Sequence, residues 1–445
     1  MQQTTPIKTI VGAALLIISG NINAEDLNTI YSLAAENDPQ FRAARAQYEA
    51  ESEAPYQAWG AMLPQINGAL YKSDTSTETT KSGVTTPSDF DTDGYSLSLS
   101  QTIYNHAKFA QISQANAVSE QALANYRYAE QALVLRAAEK YFNVLAAQDN
   151  LAFTRAEKKS IAHQLKQTQQ RFNVGLTAIT DVHEAQARYD QSVAQDIAAE
   201  NQLAISRETL REMTGQDHPR LDALKEATPL LEPDPANINE WVKTALLNNY
   251  QLLAAKQAVE ASSAGISKAR AGHYPSLEFV ASKNVNDYSG GNFGGIDLGA
   301  RETDETVLQL QLSMNIFSGG AVMSQSREAA YRHMQSKELL EQTRRTTERQ
   351  ARNSYLSVIA KISQVKALKQ ALASSETALK ATTAGFKVGT RTTVDVLDSQ
   401  RDLFRAKLNY ALARYDYIME TLRLKQAAGT LTGQDLKAIN AWLEK

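Results

Sequence analysis

Phe172-Asn173-Val174-Gly175, with Asp181-Val182 six residues beyond the glycine, returns as Phe386-Lys387-Val388-Gly389 with Asp395-Val396. The match extends outward from this pair. Tyr141, Val144 and Leu151 correspond to Tyr355, Val358 and Val365. Ile103-Tyr104 corresponds to Ile316-Phe317, and Ala43-Ala44-Arg45 with Glu49-Ala50 to Ala254-Ala255-Lys256 with Glu260-Ala261. The offset is 211 residues from Pro64 to Pro275 and 214 from Gly175 to Gly389. Single matches mean little in an alanine-rich chain, but so many in register argue for duplication. The halves divide at 25–225 and 226–445.

Proline spacing sets the architecture of each half. No proline occurs between Ser88 and His218, or from Ser276 to Lys445, whereas four fall within Pro219–Pro235, which reads as a linker. Proline breaks helix interiors, so the gaps permit very long helices. Helix formers with heptad-spaced apolar residues predict long helices over 106–172 and 321–386, followed by helices over 180–215 and 394–427. About 65 residues make a rod of roughly 100 Å, which must bury its apolar stripe against others in a bundle or coiled coil.

Alternation marks the strands. Tyr95, Leu97 and Leu99 alternate with Ser, and Leu308, Leu310, Leu312, Met314 and Ile316 with Gln, Ser and Asn. These predict strands over 94–104 and 305–317. Their partners begin at the prolines, over 64–73 and 275–285. Between partners lie polar loops, 74–92 and 286–304. Such alternation fits transmembrane β-strands with apolar side chains in lipid and equally a soluble hairpin. Four strands cannot close a barrel, and open edges do not persist in lipid. If the strands enter a membrane, several protomers share one barrel.

Composition narrows the function. The chain has 445 residues, 46 Lys+Arg against 49 Asp+Glu, a net charge of −3, and no cysteine. The balance gives no basic surface for nucleic acid. Without cysteine there are no disulfides, thiolate metal sites or cysteine nucleophiles, and the six histidines lack metal-motif spacing. No cofactor, metal or catalytic constellation is expected. Met1–Ala24 reads as an export signal: Lys8, the apolar run Ile10–Gly20, and a cleavage site at Ile22-Asn23-Ala24. The run is too short to span a bilayer as a helix. The glycine-rich Gly290–Gly295 lacks the Lys-Ser/Thr of a phosphate-binding loop.

With these residues laid out, the chain resembles the TolC family of outer-membrane efflux and secretion channels. The carrying segments are Tyr141–Leu145, Gln170–Leu176, Ala178–Val182, Val388–Thr392 and Val394–Asp398. The resemblance implies an α+β membrane protein. Three copies would form a homotrimer with a 12-stranded barrel in outer-membrane lipid, above an α-helical barrel crossing the periplasm. It implies a passive exit duct for tripartite multidrug efflux and type I secretion. Its partners would be a periplasmic adaptor (membrane fusion) protein and, through it, an inner-membrane RND or ABC transporter.

The resemblance also assigns residues. Val174, Gly175 and Leu176, with Val388, Gly389 and Thr390, would dock adaptor hairpins, although plain turn chemistry also accounts for both glycines. Asp395 and Asp398 share a helix face and would form two stacked carboxylate rings that select cations. Crowded like charges there should raise their pKa values. The plainer reading is two aspartates stabilised at a helix N-terminus. Asp181, Thr180, Gln164 and Arg391 match the network closing the family's entrance, with Arg391 reaching Asp181 or the Thr180 carbonyl of a neighbouring copy. Two members depart from the pattern: the family's Tyr is Phe386 and its Glu is Thr383. Each lost link is worth on the order of 1 kcal/mol, so this gate should lean on Arg391 and open more easily. The competing reading is a periplasmic coiled coil without a channel.

Overall fold

The computed structural model describes residues 24–290, 292–293, 296–297 and 299–444. The expected export signal lies outside them apart from Ala24, as do Gly291, Gly294 and Gly295 of the glycine-rich run. The first half runs α1 (Leu27–Asn37), α2 (Pro39–Ser52), α3 (Ala54–Gly60), β1 (Gln65–Lys81), β2 (Val84–Asn105), α4 (His106–Asn173) and α5 (Ile179–Thr214). The second runs α6 (Ile238–Asn248), α7 (Tyr250–Arg270), β3 (Ser276–Ser289), the short β4 (Asn292–Phe293) and β5 (Ile296–Asp297), β6 (Arg301–Ser313), α8 (Ala321–Lys387), α9 (Thr393–Ala427) and α10 (Gly433–Asn440).

A 68-residue helix such as α4 is about 100 Å long, and no single partner covers it. Its N-terminal half packs on α2, α3 and α7; its C-terminal half packs on α5 and α9. The helix α8 is covered in the same way by α6, α7 and α9. Alanine makes this closeness possible: Ala110, Ala115, Ala117, Ala122, Ala124, Ala137 and Ala138 all lie buried along α4.

The two halves are fastened near the middle of the long helices. Tyr141, Phe142 and Leu145 of α4 pack on Tyr415, Ile418 and Leu422 of α9 in the largest apolar core. The chain ends join there too: Glu25 bridges to Leu221, and Leu224 to Leu443. Two buried tyrosine hydroxyls of this core are satisfied, with Tyr141 donating to the Asp222 carbonyl (2.8 Å) and Tyr415 to Asp149 (2.7 Å). Burial raises the pKa of both tyrosines, which stay neutral donors.

The main sheet is antiparallel in the order β1-β2-β3-β6, so the β2–β3 contact joins the two halves. The first hairpin corrects a sequence expectation. Residues 74–92, read as a polar loop, continue both strands in unbroken register up to Lys81 opposite Val84. Thr-rich sequence suits a pleated strand. Ser82 (φ 52°) and Gly83 (φ 83°) then close a two-residue turn whose positive φ angles match the strand twist. At the other end β6 stops at Ser313 rather than 317; Met314, Ile316 and Phe317 leave the sheet and are exposed.

Candidate functional site

The two helical hairpins, α4–α5 and α8–α9, end in turns of one design. Gly175 (φ 77°) and Gly389 (φ 83°) both adopt the left-handed conformation that ends a helix. The Leu176 N–H returns to the Arg171 carbonyl (2.8 Å) and the Thr390 N–H to the Gly385 carbonyl (2.9 Å). Val174, Leu176 and Val388 stand exposed on these turns, an apolar presentation that turn chemistry alone does not require. The turns lie side by side, because the Arg171 guanidinium sits 4.8 Å over the Phe386 ring.

The expected gate residues separate into several local roles. Asp181 accepts a hydrogen bond from the Thr177 hydroxyl in the turn before α5. Thr180 is exposed. Arg391 lays its stem over Gly385, where an added Cβ would come within 2.8 Å of its Cγ. Gln164 is buried with its Nε2 unpartnered, as is the Thr168 hydroxyl one turn on. Thr383 is half-buried, and Phe386 is buried beneath Arg171. Within one chain the hairpins are therefore joined by Arg171 on Phe386 and by Leu397 packed among Ile161, Leu165 and Ala185.

Asp395 and Asp398 differ in their surroundings. Asp395 forms a capping box with Thr392: its carboxylate accepts from the Thr392 N–H (2.8 Å) and hydroxyl (3.0 Å). The Thr392 backbone and side-chain hydrogen bonds hold its carboxyl below the usual range. Within one chain the shift thus runs opposite to the rise expected of a ring. Asp398 meets Arg188 of α5 at 3.2 Å and Arg401 at 3.3 Å. Sequence reasoning missed Arg171 and Arg188. The i,i+3 spacing of Asp398 and Arg401 was a visible signal; nothing local pointed to the other two.

The sheet has two unlike faces. One carries Ile66, Leu70, Tyr95, Leu97, Leu99, Leu277, Phe279, Ala281, Leu308, Leu310 and Leu312; the other carries Gln65, Asn67, Ser96, Ser98, Ser282, Asn284, Gln309 and Gln311. Toward the hairpin tips the apolar face ends in the ion pairs Lys72–Asp93 (3.2 Å) and Lys283–Asp304 (3.1 Å). The apolar band is slanted. Its last member is Leu70 on β1 but Leu308 on β6, and Leu308 shares a rung with Ala281, Leu99 and Ile66. The band thus falls four residues, from 70 to 66, across the sheet. Four rises of about 3.3 Å over three strand spacings of about 4.8 Å give a slope of roughly 40–45°. Strands in membrane barrels tilt by a similar angle. Among the described residues no helix is long and apolar enough to cross a membrane.

Residues 30–216 and 241–430 match the family of outer membrane efflux proteins, one block in each half of the chain. The chain is 38% identical over 435 residues to the outer membrane protein TolC of Vibrio cholerae, covering 98% of this chain and 97% of that one. It is 36% identical over 455 residues to TolC of Escherichia coli, covering 100% and 90%. It is 30% identical over 438 residues to the alkaline protease secretion protein AprF of Pseudomonas aeruginosa, covering 97% and 90%. Among solved structures, the CmeC outer membrane channel of Campylobacter jejuni superposes with a TM-score of 0.78 at 15% identity (95% and 91% covered). The outer membrane protein VceC of Vibrio cholerae gives 0.74 at 18% (91% and 96%).

Proposed function

The chain belongs to the outer membrane efflux protein family, and on that premise we propose that three copies form a passive channel-tunnel gated at its helical tip. Its place is the bacterial outer membrane, and its work is that of an outer-membrane channel for efflux and type I secretion. The slanted apolar band carries the trimer reading: it suits lipid, yet four strands cannot close around a lumen. Three copies give twelve strands, with the polar face turned inward.

The long helices then project about 100 Å from the sheet and bring the two turns to the periplasmic entrance. Val174-Gly175-Leu176 and Val388-Gly389-Thr390 present exposed apolar side chains to the hairpins of a periplasmic adaptor. An inner-membrane RND or ABC transporter, reached through that adaptor, supplies the energy. Asp395 and Asp398 from three copies line the entrance with carboxylates that draw cations. Arg391, extended over Gly385, reaches across the copy boundary to the Thr180–Asp181 segment; Gln164, Thr383 and Phe386 are the remaining members of the entrance gate.

Single-channel recording of the purified oligomer in a planar bilayer tests this reading. The expected result is a small, cation-selective conductance. It should rise with Arg391→Ala and lose selectivity with Asp395→Asn plus Asp398→Asn. A mature chain that stays monomeric and does not insert would establish the periplasmic coiled coil instead. A large unselective conductance at rest would keep the channel and reject the closed tip.

A further inference from the structure

We propose that the groove between α5 and α9, floored by α4, binds a soluble amphiphilic oxyanion: a sulfonate, sulfate, phosphate or carboxylate head carrying a short apolar tail. The Arg188–Asp398 ion pair lies at the end of this groove nearer the tip turns. The site is built within one copy. Its hold on the tip rests on the channel reading; the binding itself does not.

The end nearer the tip suits the head. It is a cavity of about 170 Å³ whose walls carry Arg188, Arg401 and Arg405 against Asp398 and Glu157. Asp398 is already shared, at 3.2 Å from Arg188 and 3.3 Å from Arg401. Asp402 meets Arg401 at 3.7 Å from outside the cavity. Glu157 is half-buried, and desolvation raises its pKa against the pull of Arg401 and Arg405. Among the described residues Arg405 makes no ion pair; it acts on Glu157 only through space. Three guanidiniums thus face two carboxylates, one of them shared and the other disfavoured as a charge by burial. An oxyanion corrects that excess, because guanidinium forks bind oxyanions through charge-assisted hydrogen bonds. The side-chain amides of Gln191 and Gln195 on α5 add donors to the same walls.

Continuity places the tail. Away from the tip the cavity passes into a second of about 400 Å³, sharing Glu157, Gln195, Arg401 and Arg405 with it. Phe153 of α4 and Phe404 and Leu408 of α9 line this second space, all half-buried. From Asp398 to Leu408 the helix rises about 15 Å, room for a head and a short chain. Each methylene fully buried there tightens binding about fourfold. The ligand touches α4, α5 and α9 at once, so it binds best to the arrangement that holds them together, the clasped tip. If three copies open together, half-saturation of three such sites lowers the open-to-closed ratio about eightfold.

The test is calorimetric titration of the native chain in lipid nanodiscs, with empty nanodiscs as the blank. The probes are 1-hexanesulfonate, methanesulfonate and hexylammonium. The expected result is one hexanesulfonate per chain, bound more tightly than methanesulfonate by about tenfold or more, and no hexylammonium. Arg405→Gln, which removes a charged hydrogen-bond donor, should weaken hexanesulfonate by about tenfold; Phe404→Ala should weaken hexanesulfonate but not methanesulfonate. Equal affinity for the two sulfonates overturns the tail and with it the amphiphile. Binding that hexylammonium matches, or that survives Arg401→Gln plus Arg405→Gln, is adsorption elsewhere and overturns the site. Binding of no probe overturns it too; if Arg401→Glu plus Arg405→Glu then loses the adaptor, the groove belongs to an acidic helix of that partner. In planar bilayers hexanesulfonate at its dissociation constant should lower the open-to-closed ratio about eightfold in the native chain and by less than about twofold in Arg405→Gln. Binding without that effect overturns the hold on the tip. A chain without conductance removes the channel reading, and the titration still decides the site.

Discussion

The two tip turns share a backbone but not a chemistry. Asp181 and Asp395 are equivalent positions, 214 residues apart. The first is held by the Thr177 hydroxyl within the turn. The second closes a capping box with Thr392, where the first turn has Ala178 and no side-chain cap. The equivalent aromatics also part company: Phe172 is 39% exposed, whereas Phe386 is 8% exposed under Arg171. Duplication supplied one turn twice, and divergence has made the second the better anchored. A hairpin tip that is capped and clasped fits a position facing its neighbours, and an open one fits a position facing solvent or an incoming partner.

The sharpest way to break this contrast is to cut the clasp. Phe386→Leu removes a cation–π contact worth about 0.5–1 kcal/mol. If three copies open together, the loss is about 1.5–3 kcal/mol, roughly a 10- to 150-fold rise in the open-to-closed ratio. Phe172→Leu, its counterpart, is expected to stay within about threefold. Single-channel open probability measures both, and equal effects would dissolve the distinction. Arg188→Ala comes next. It unpairs Asp398 from α5, but the ion pair is partly exposed and discounted accordingly, to about 0.2–1 kcal/mol per copy. On the same three-copy arithmetic the expected rise is roughly 3- to 150-fold, its lower bound below that of the clasp, with Arg188→Lys restoring most of it. Smaller again is Thr392→Ala, which loses a helix cap worth about 1 kcal/mol. It should lower the melting midpoint by about 1–2 °C. Ala178→Thr in the first turn should move it upward.

Much of this molecule is legible in the sequence, for definite reasons. Proline-free stretches and repeated Val-Gly turns exposed α4, α8 and the duplication, because proline and left-handed glycine act locally. The outer half of the first hairpin was hidden because its apolar alternation fades after Leu70. Only Ser82-Gly83 signals that the strands run on, and both faces there are polar. At the tip, residue types were visible but their neighbours were not. Phe386 reads from sequence as a lost hydroxyl, yet the fold sets a guanidinium against its ring. Arg171 and Phe386 are more than 200 positions apart, and nothing in local pattern brings them together. Arg188 and Asp398 are hidden for the same reason.

The finest test of the contrast is acid, because Asp395 caps its helix and, in the proposed trimer, would also join a ring. Within one chain, hydrogen bonds from the Thr392 backbone and hydroxyl, aided by Arg391, lower its pKa on folding. A carboxyl depressed by folding contributes stability that is complete above its unfolded pKa and is lost as pH falls through the folded value. For an aspartate this window lies below about pH 4. If three copies crowd these carboxylates around the entrance as proposed, repulsion acts the other way and moves the loss to higher pH. The measurement is the melting midpoint of the native chain minus that of Asp395→Asn, followed from pH 7 to pH 3 in the trimer and in detergent-dissociated monomer. For the cap, the difference is present at neutral pH and fades only below about pH 4 in both forms. For cap and ring together, the trimer's difference begins to fade at higher pH than the monomer's. A difference that does not change with pH in either form would mean that the carboxylate's charge serves neither purpose and that Asp395 is held by its hydrogen-bonding shape alone.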